Sequence, residues 1–129
     1  MTMPPERTRA LRWAYELLLE VSRGNVSSAT DRDRACGVLQ DFPQPDAVLA
    51  WLRAGASLPA SAASAINEAG DLLQDLRLSV TCPPHFREQL YRVLRHYPQS
   101  GEALCWAGVA SEGELHEWLQ PEDIYGSRT

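Results

Sequence analysis

RACGVLQDFPQPDAVLAW, residues 34 to 51, aligns without a gap on QLYRVLRHYPQSGEALCW, residues 89 to 106, at an offset of 55 positions. Val38 coincides with Val93, Leu39 with Leu94, Pro43 with Pro98, Gln44 with Gln99, Leu49 with Leu104 and Trp51 with Trp106, while Phe42 falls on Tyr97. Upstream, the same offset sets Ala10 on Ala65, Ala14 on Ala69, Leu17 on Leu72 and Leu18 on Leu73. Matches spread over separate segments at one shift point to a duplication, so each half is read against the other.

Each half reads as three helices. Ala10, Leu11, Ala14, Leu17, Leu18 and Val21 recur at spacings of three and four, which predicts a helix over about 4 to 22, and Ala65, Ile66, Ala69, Leu72, Leu73 and Leu76 repeat the stripe over about 59 to 77. The second helices, about 31 to 42 and 84 to 97, present Ala35, Val38, Leu39 and Phe42, then Phe86, Leu90, Val93, Leu94 and Tyr97. Both stop at an aromatic followed by proline, because the residue before proline is pushed out of the α region. Third helices follow at about 45 to 54, with Gly55 as its stop, and 101 to 107. Ser111-Glu112-Gly113-Glu114 has capping-box spacing and predicts a short helix running to Pro121. The brief alternation LRLSVT at 76 to 81 reads as a helix end and linker. The expectation is an all-α fold: two tandem three-helix repeats, residues 1 to 55 and 56 to 110, packed as one compact helical domain, with a short C-terminal helix and loose tail in 111 to 129.

Composition narrows the function. With 44% hydrophobic and 22% charged residues the chain suits a globule that buries a core without metal or disulfide staples. A net charge of −5 disfavours general affinity for nucleic acid, which rests on clustered positive charge. All twelve basic residues are arginine, so Schiff-base and P-loop lysines are excluded. No stretch is apolar enough for a membrane span, and MTMPPERTRAL lacks the apolar centre of a signal peptide, so a cytoplasmic protein is expected. Cys36, Cys82 and Cys105 are odd in number and lack CxxC spacing, as for reduced thiols.

Catalytic motifs are missing: the sequence holds no Gly-rich phosphate loop, GxSxG, HExxH or EF-hand loop, and no cofactor is expected. Cys82, His85, His96 and Cys105 tempt as metal ligands, yet two histidines eleven residues apart on one helix stand about 16 Å from each other, too far for one ion. Cys82, ahead of Pro83 and Pro84, sits where a helix dipole lowers a thiol pKa, which makes a thiol-dependent enzyme the third-ranked reading; a capping or small buried residue is the commoner role. His116, four residues after Glu112, reads as a surface pair.

Differences between the halves mark candidate contact sites. Trp13, Tyr15 and Leu19 flank the first core stripe, where the second half has Glu68, Gly70 and Gln74. This extra apolar flank is covered either by the other repeat or by a partner, most simply a second copy in a homodimer. Gly37, Gln40 and Asp41 become Arg92, Arg95 and His96, a basic stripe at i, i+3 and i+4 that suits an anion or an acidic partner, although such a run is more often a solvated face. Residues 1 to 55 carry seven basic and seven acidic groups, and residues 56 to 129 five and ten, so the excess acid surrounds that stripe.

The start MTMPPERTRAL and the later VLRHYPQSGEAL resemble a family of small bacterial proteins of unassigned function that share an ERTRAL-like start and an LRHYP-like helix end. The resemblance covers residues 1 to 21 and 84 to 104, implies a bacterial cytosolic protein and carries no catalytic residues; the first-half QDFPQ departs from it. Together these readings lead to a small acidic helical interaction protein, an adaptor, inhibitor or regulatory partner, with a nucleic-acid-associated regulator using Arg92, Arg95 and His96 as the alternative. Because ligand spacing and unpaired thiols leave no role for metal or disulfide, chelator and reductant are each expected to leave the melting temperature unchanged. A structural zinc would instead show as a fall of several degrees with chelator.

Overall fold

In the computed structural model of the chain, residues 2–24, 28–108 and 115–122 are described. Seven helices and no strand occur among them: α1 Pro4–Ser22, α2 Ala29–Leu39, α3 Pro45–Ala54, α4 Ala60–Leu78, α5 Pro84–Leu94, α6 Glu102–Gly108 and α7 Leu115–Trp118. None is long and apolar enough to cross a membrane. Of the stop signals read from the sequence, Gly55 acts where expected, whereas the aromatic-proline pairs follow helices that have already ended. Pro4, Pro45 and Pro84 open helices in the first turn, where the missing N–H has no intrahelical partner to lose. Ser28 Oγ accepts the Asp31 N–H at 3.2 Å at the start of α2, and Gly55 ends α3 in the left-handed region at φ 68°.

The long helices α1 and α4, nineteen residues each, supply the core stripes. Ala10, Leu11, Ala14, Leu17, Leu18 and Val21 from α1 pack in one buried cluster with Ala62, Ala63, Ala65, Ile66, Ala69, Leu72, Leu73 and Leu76 from α4. Around them, α1 packs against α2, α3 and α5, and α4 against α2, α5 and α6. The linker after α4 is held by Arg87, whose guanidinium donates to the carbonyls of Arg77 (3.2 Å), Ser79 (2.8 Å) and Cys82 (3.2 Å).

The ends of the second helix of each half differ from the sequence expectation. Both α2 and α5 end three residues early, so Phe42 and Tyr97 lie beyond the helix ends rather than on them. Tight turns replace the last helical residues: the N–H groups of Asp41 and Phe42 both donate to the Val38 carbonyl, and that of His96 to Val93. Freed from the helix, each aromatic packs back on the long helix of its own half. Phe42 stacks on Tyr15 with centroids 6.4 Å apart and an interplanar angle of 20°. Tyr97 lies over Gly70, with ring atom Cε2 3.1 Å from where a Cβ would stand, and its hydroxyl donates to the Ile66 carbonyl at 2.7 Å. The expected cap Ser111-Glu112-Gly113-Glu114 and the tail 123 to 129 lie outside the described residues; within them α7 is confined to Leu115–Trp118.

The segment after α7 is tied to α1. Glu122 accepts two bonds from Arg12, at 2.6 and 2.9 Å, and the Gln120 N–H donates to Thr8 Oγ1 at 3.2 Å. Arg7 donates to the Trp118 carbonyl and lies 5.2 Å from the centre of its ring, while Trp118 tilts against the buried Trp106.

Tyr97 is held from both sides, by its hydroxyl and by the backbone of α4, so its ring has little freedom to move. A methyl at position 70 overpacks this site, which outweighs its better helix propensity, and Gly70→Ala is expected to cost about 1 kcal/mol in chemical denaturation. In a Tyr97→Phe background the tether is gone and the same change is expected to become neutral or stabilising. Burial holds the Tyr97 phenol well above its ordinary range. The folded state therefore prefers the neutral form: its contribution is complete below the unfolded-state value near 10 and is lost as the pH rises through the folded one. Alkaline titration of stability should accordingly fall less for Tyr97→Phe than for the unsubstituted chain.

Candidate functional site

Where α1 meets α5, the sequence-derived candidates regroup. Trp13 and Arg92, which belong to different candidate patches in the sequence, line one hollow of about 290 Å³ together with Glu16, Leu17, Gln89 and Val93. Trp13 is half-buried, with the Arg9 guanidinium 5.8 Å from its ring centre. Arg92 reaches Glu88 one turn back at 3.3 Å, and both side chains are about two-thirds exposed (66% and 67%), so the pair contributes little to stability and leaves Arg92 available. Glu16 is paired with Arg12 at 3.5 Å.

The basic stripe is not one continuous face. Because α5 ends at Leu94, Arg95 caps it and His96 departs from the helix. Arg95 and His96 line a second, open hollow of about 600 Å³ with Thr2, Arg7, Ser100 and Glu102 among its walls. His96 is engaged there: its Nδ1 lies 3.1 Å from Thr2 Oγ1 and 3.8 Å from Glu6 Oε1. The Glu6 carboxyl is held below the usual carboxylate range, first by the hydrogen bond it accepts from the Met3 N–H and also by the nearby His96. Arg95 is exposed and has no ion pair among the described residues. The solvent face of α5 is completed by Tyr91, 57% exposed and one turn before Arg95.

Tyr15 and Leu19 do not form an open ridge. Tyr15 is spent on Phe42, Leu19 is half-buried, and the large hydrophobic residues that are exposed are Met3, Leu78, Val80, Tyr91 and Leu104. The glycine opposite Tyr15 in the other half is explained by the ring of Tyr97 that covers it.

Two surface features escape the sequence reading. An apolar groove of about 480 Å³, floored by Leu11, Val48 and Leu49 and edged by Pro43 and Pro45, runs between α1 and α3. A hollow of about 340 Å³ between α2 and α4 gathers Asp33, Arg34, Gly37, Val38, Glu68 and Asp71. Arg34 pairs there with Asp75 at 3.2 Å, whereas Asp33, Glu68 and Asp71 have no ion pair among the described residues. A side-chain atom at Gly37 would meet open space. Asp71, Arg34, Gly37, Val38 and Glu68 stand 55 positions from Glu16, Gln89, Arg92, Val93 and Trp13, so the α2–α4 hollow is lined by the counterparts of the α1–α5 one. That correspondence was available from the alignment once one knows which helices touch.

Among the described residues no group of three His, Cys, Asp or Glu is placed to hold a metal ion. Cys36 and Cys105 are exposed; Cys82 is buried and its thiol lies 3.6 Å from the Pro83 carbonyl. Burial pushes the Cys82 thiol up, against a smaller opposing effect of Arg87, the reverse of the helix-dipole activation that its position suggests. Comparison with protein-family models, curated proteins and solved structures finds no match to the chain.

With its pKa raised, Cys82 carries less thiolate than an ordinary cysteine at any neutral pH. Mass-spectrometric mapping after brief alkylation is expected to find Cys36 and Cys105 labelled first and Cys82 last, with its rate rising only at higher pH. Preferential labelling of Cys82 at pH 7 would restore it as a reactive group.

Proposed function

We propose that the chain is a duplicated three-helix unit that acts by binding another protein, as an adaptor, inhibitor or regulatory partner in the bacterial cytosol, and that its contact face is the α1–α5 seam around Trp13 and Arg92. The duplication is supported by reciprocal packing. Exchanging α1 with α4 and α2 with α5 turns the α1–α5 contact into the α4–α2 contact, as a local twofold would. It is also supported by the pairs Tyr15–Phe42 and Gly70–Tyr97, which touch at equivalent positions.

One observation carries the functional reading. The two hollows share equivalent positions, yet one is lined by Trp13 and Arg92 and the other by Glu68 and Gly37. The framework stands without an aromatic and an arginine at these places, so their presence in the first hollow calls for a use outside the fold. Partly exposed Trp, Tyr and Arg are the residues that dominate protein interfaces, and Tyr91 and Arg95 extend the patch. Exposure of Arg92 and Arg95 also keeps the nucleic-acid reading in second place; Glu88 and Glu16 beside them and the acidic net charge weigh against it.

Affinity capture from the native host, followed by binding measurements with the purified partner, tests this reading. Trp13→Ala and Arg92→Glu are each expected to weaken that binding by about tenfold or more, while Ser57→Ala in the α3–α4 linker leaves it unchanged. Equal binding by all of them would remove the seam as the contact face. Binding of nucleic acid with a steep inverse dependence on salt would favour the second reading.

A further inference from the structure

We infer that the exposed ridge of α5 docks into the α2–α4 hollow of a second copy of this chain, head to tail. The inference rests on the α1–α5 face being a contact surface and names its partner. Equivalent positions on α5 and α2 carry side chains of opposite character. Tyr91, Arg92 and Arg95 project from α5, all exposed; the matching places on α2 are Cys36, Gly37 and Gln40, small or neutral. The ridge is therefore bulky where its counterpart is low, and it is basic through Arg95, which has no ion pair among the described residues, and through Arg92, whose exposed pair with Glu88 is weak enough to exchange. Beside that low face lies the hollow in which Asp33, Glu68 and Asp71 have no ion pair among the described residues. The one arginine lining it, Arg34, is paired with Asp75.

Charge decides the geometry of association. A twofold dimer that joined ridge to ridge would set Arg92 and Arg95 against their own copies, and one that joined hollow to hollow would oppose three carboxylates to three. Like charges across an interface are costly, and complementary patches steer encounter. Ridge to hollow is the pairing that brings Arg92 and Arg95 to Glu68 and Asp71. Such a contact uses different surfaces on the two copies, so the pair still presents one free ridge, on one copy, and one free hollow, on the other. Association then grows past the dimer unless a ring closes.

Sedimentation of the full chain at low salt, from low to high micromolar concentration, tests this. The weight-average mass is expected to rise with concentration and to return toward the monomer in high salt, as screened charge pairs lose their attraction. The ridge variant Arg92→Glu/Arg95→Glu and the hollow variant Glu68→Arg/Asp71→Arg should each remain monomeric with unchanged helical circular dichroism, since all four side chains are exposed. Mixed in equal amounts, they should reassociate at least about tenfold more tightly than either does alone, because each restores the charge the other lacks. A mixture that stays monomeric overturns the inference, as does an unsubstituted chain that is monomeric throughout. Loss of association in the ridge variant but not the hollow variant also overturns it, pointing to two ridges in contact. If the unsubstituted chain is monomeric yet Arg92→Glu still loses a foreign partner, the self-docking fails and the interaction face stands.

Discussion

The hydroxyl of Tyr97 donates to the Ile66 carbonyl at 2.7 Å from a site closed to solvent, and the ring it anchors lies against the backbone of α4 at Gly70. A buried phenol is tolerated only when its O–H is paired, so the aromatic has one seat available. That seat fixes where the chain leaves α5. Pro98 then prevents the helix from continuing, and α6 starts from Gly101, whose N–H donates to Asn67 Oδ1 at 2.7 Å on the same long helix. His96 owes its departure from the face that carries Arg92 and Arg95 to this early exit. In the first half the arrangement is built with the bulk redistributed: Phe42 has no hydroxyl to satisfy, and it stacks on Tyr15, which stands where the other half has the glycine that Tyr97 covers.

A long helix gripped by its own turn aromatic leaves little latitude along the facing stripes. Ala14, Leu18, Ala69, Leu72 and Leu73 have no exposed surface, and the alanines let neighbouring helices approach closely. Change at these positions leaves a cavity or an overlap. The rims of the seams are under no such restriction. Trp13 and Glu68, or Arg92 and Gly37, differ in size and charge without disturbing what lies beneath, because Val93 and Val38 close the floor of both hollows. Packing thus leaves the differences between the halves to the rims, where side chains meet water.

This partition also explains what the sequence discloses. Helix faces were legible, since core stripes at spacings of three and four stay nearly invariant between the halves, and proline and glycine marked most ends. Phe42 and Tyr97 were read as helical because periodicity registers that a residue is apolar and in phase, not that its backbone has already turned. The flank at Tyr15 was expected to be covered by the other repeat or by a partner for a related reason: a helical wheel shows direction, whereas the ring of Phe42, from the same half and twenty-seven positions away in sequence, stacks on it. The union of Trp13 with Arg92, and of Asp33 with Glu68 and Asp71, depends on which helices touch, and no local pattern encodes that.

Buried and exposed ionisable groups divide along the same line. Tyr97 and Cys82, the two whose titration is pushed up by burial, are kept neutral and contribute packing and hydrogen bonding to the interior. Charge is left to side chains that water reaches. There most arginines are matched within the chain: Arg12 with Glu122 and Glu16, Arg34 with Asp75, Arg92 with Glu88, Arg87 with three carbonyls. Arg12 and Arg87 hold segments in place and serve the fold, whereas Arg92 reaches only its own helix and fixes no tertiary contact. An exposed pair within one helix contributes at most a few tenths of a kcal/mol, about what a single turn of good helix formers supplies without it. The half-buried indole beside Arg92 is a larger apolar surface than that gain accounts for. The two therefore make better physical sense as parts of a surface that is completed by contact than as parts of the fold that presents them.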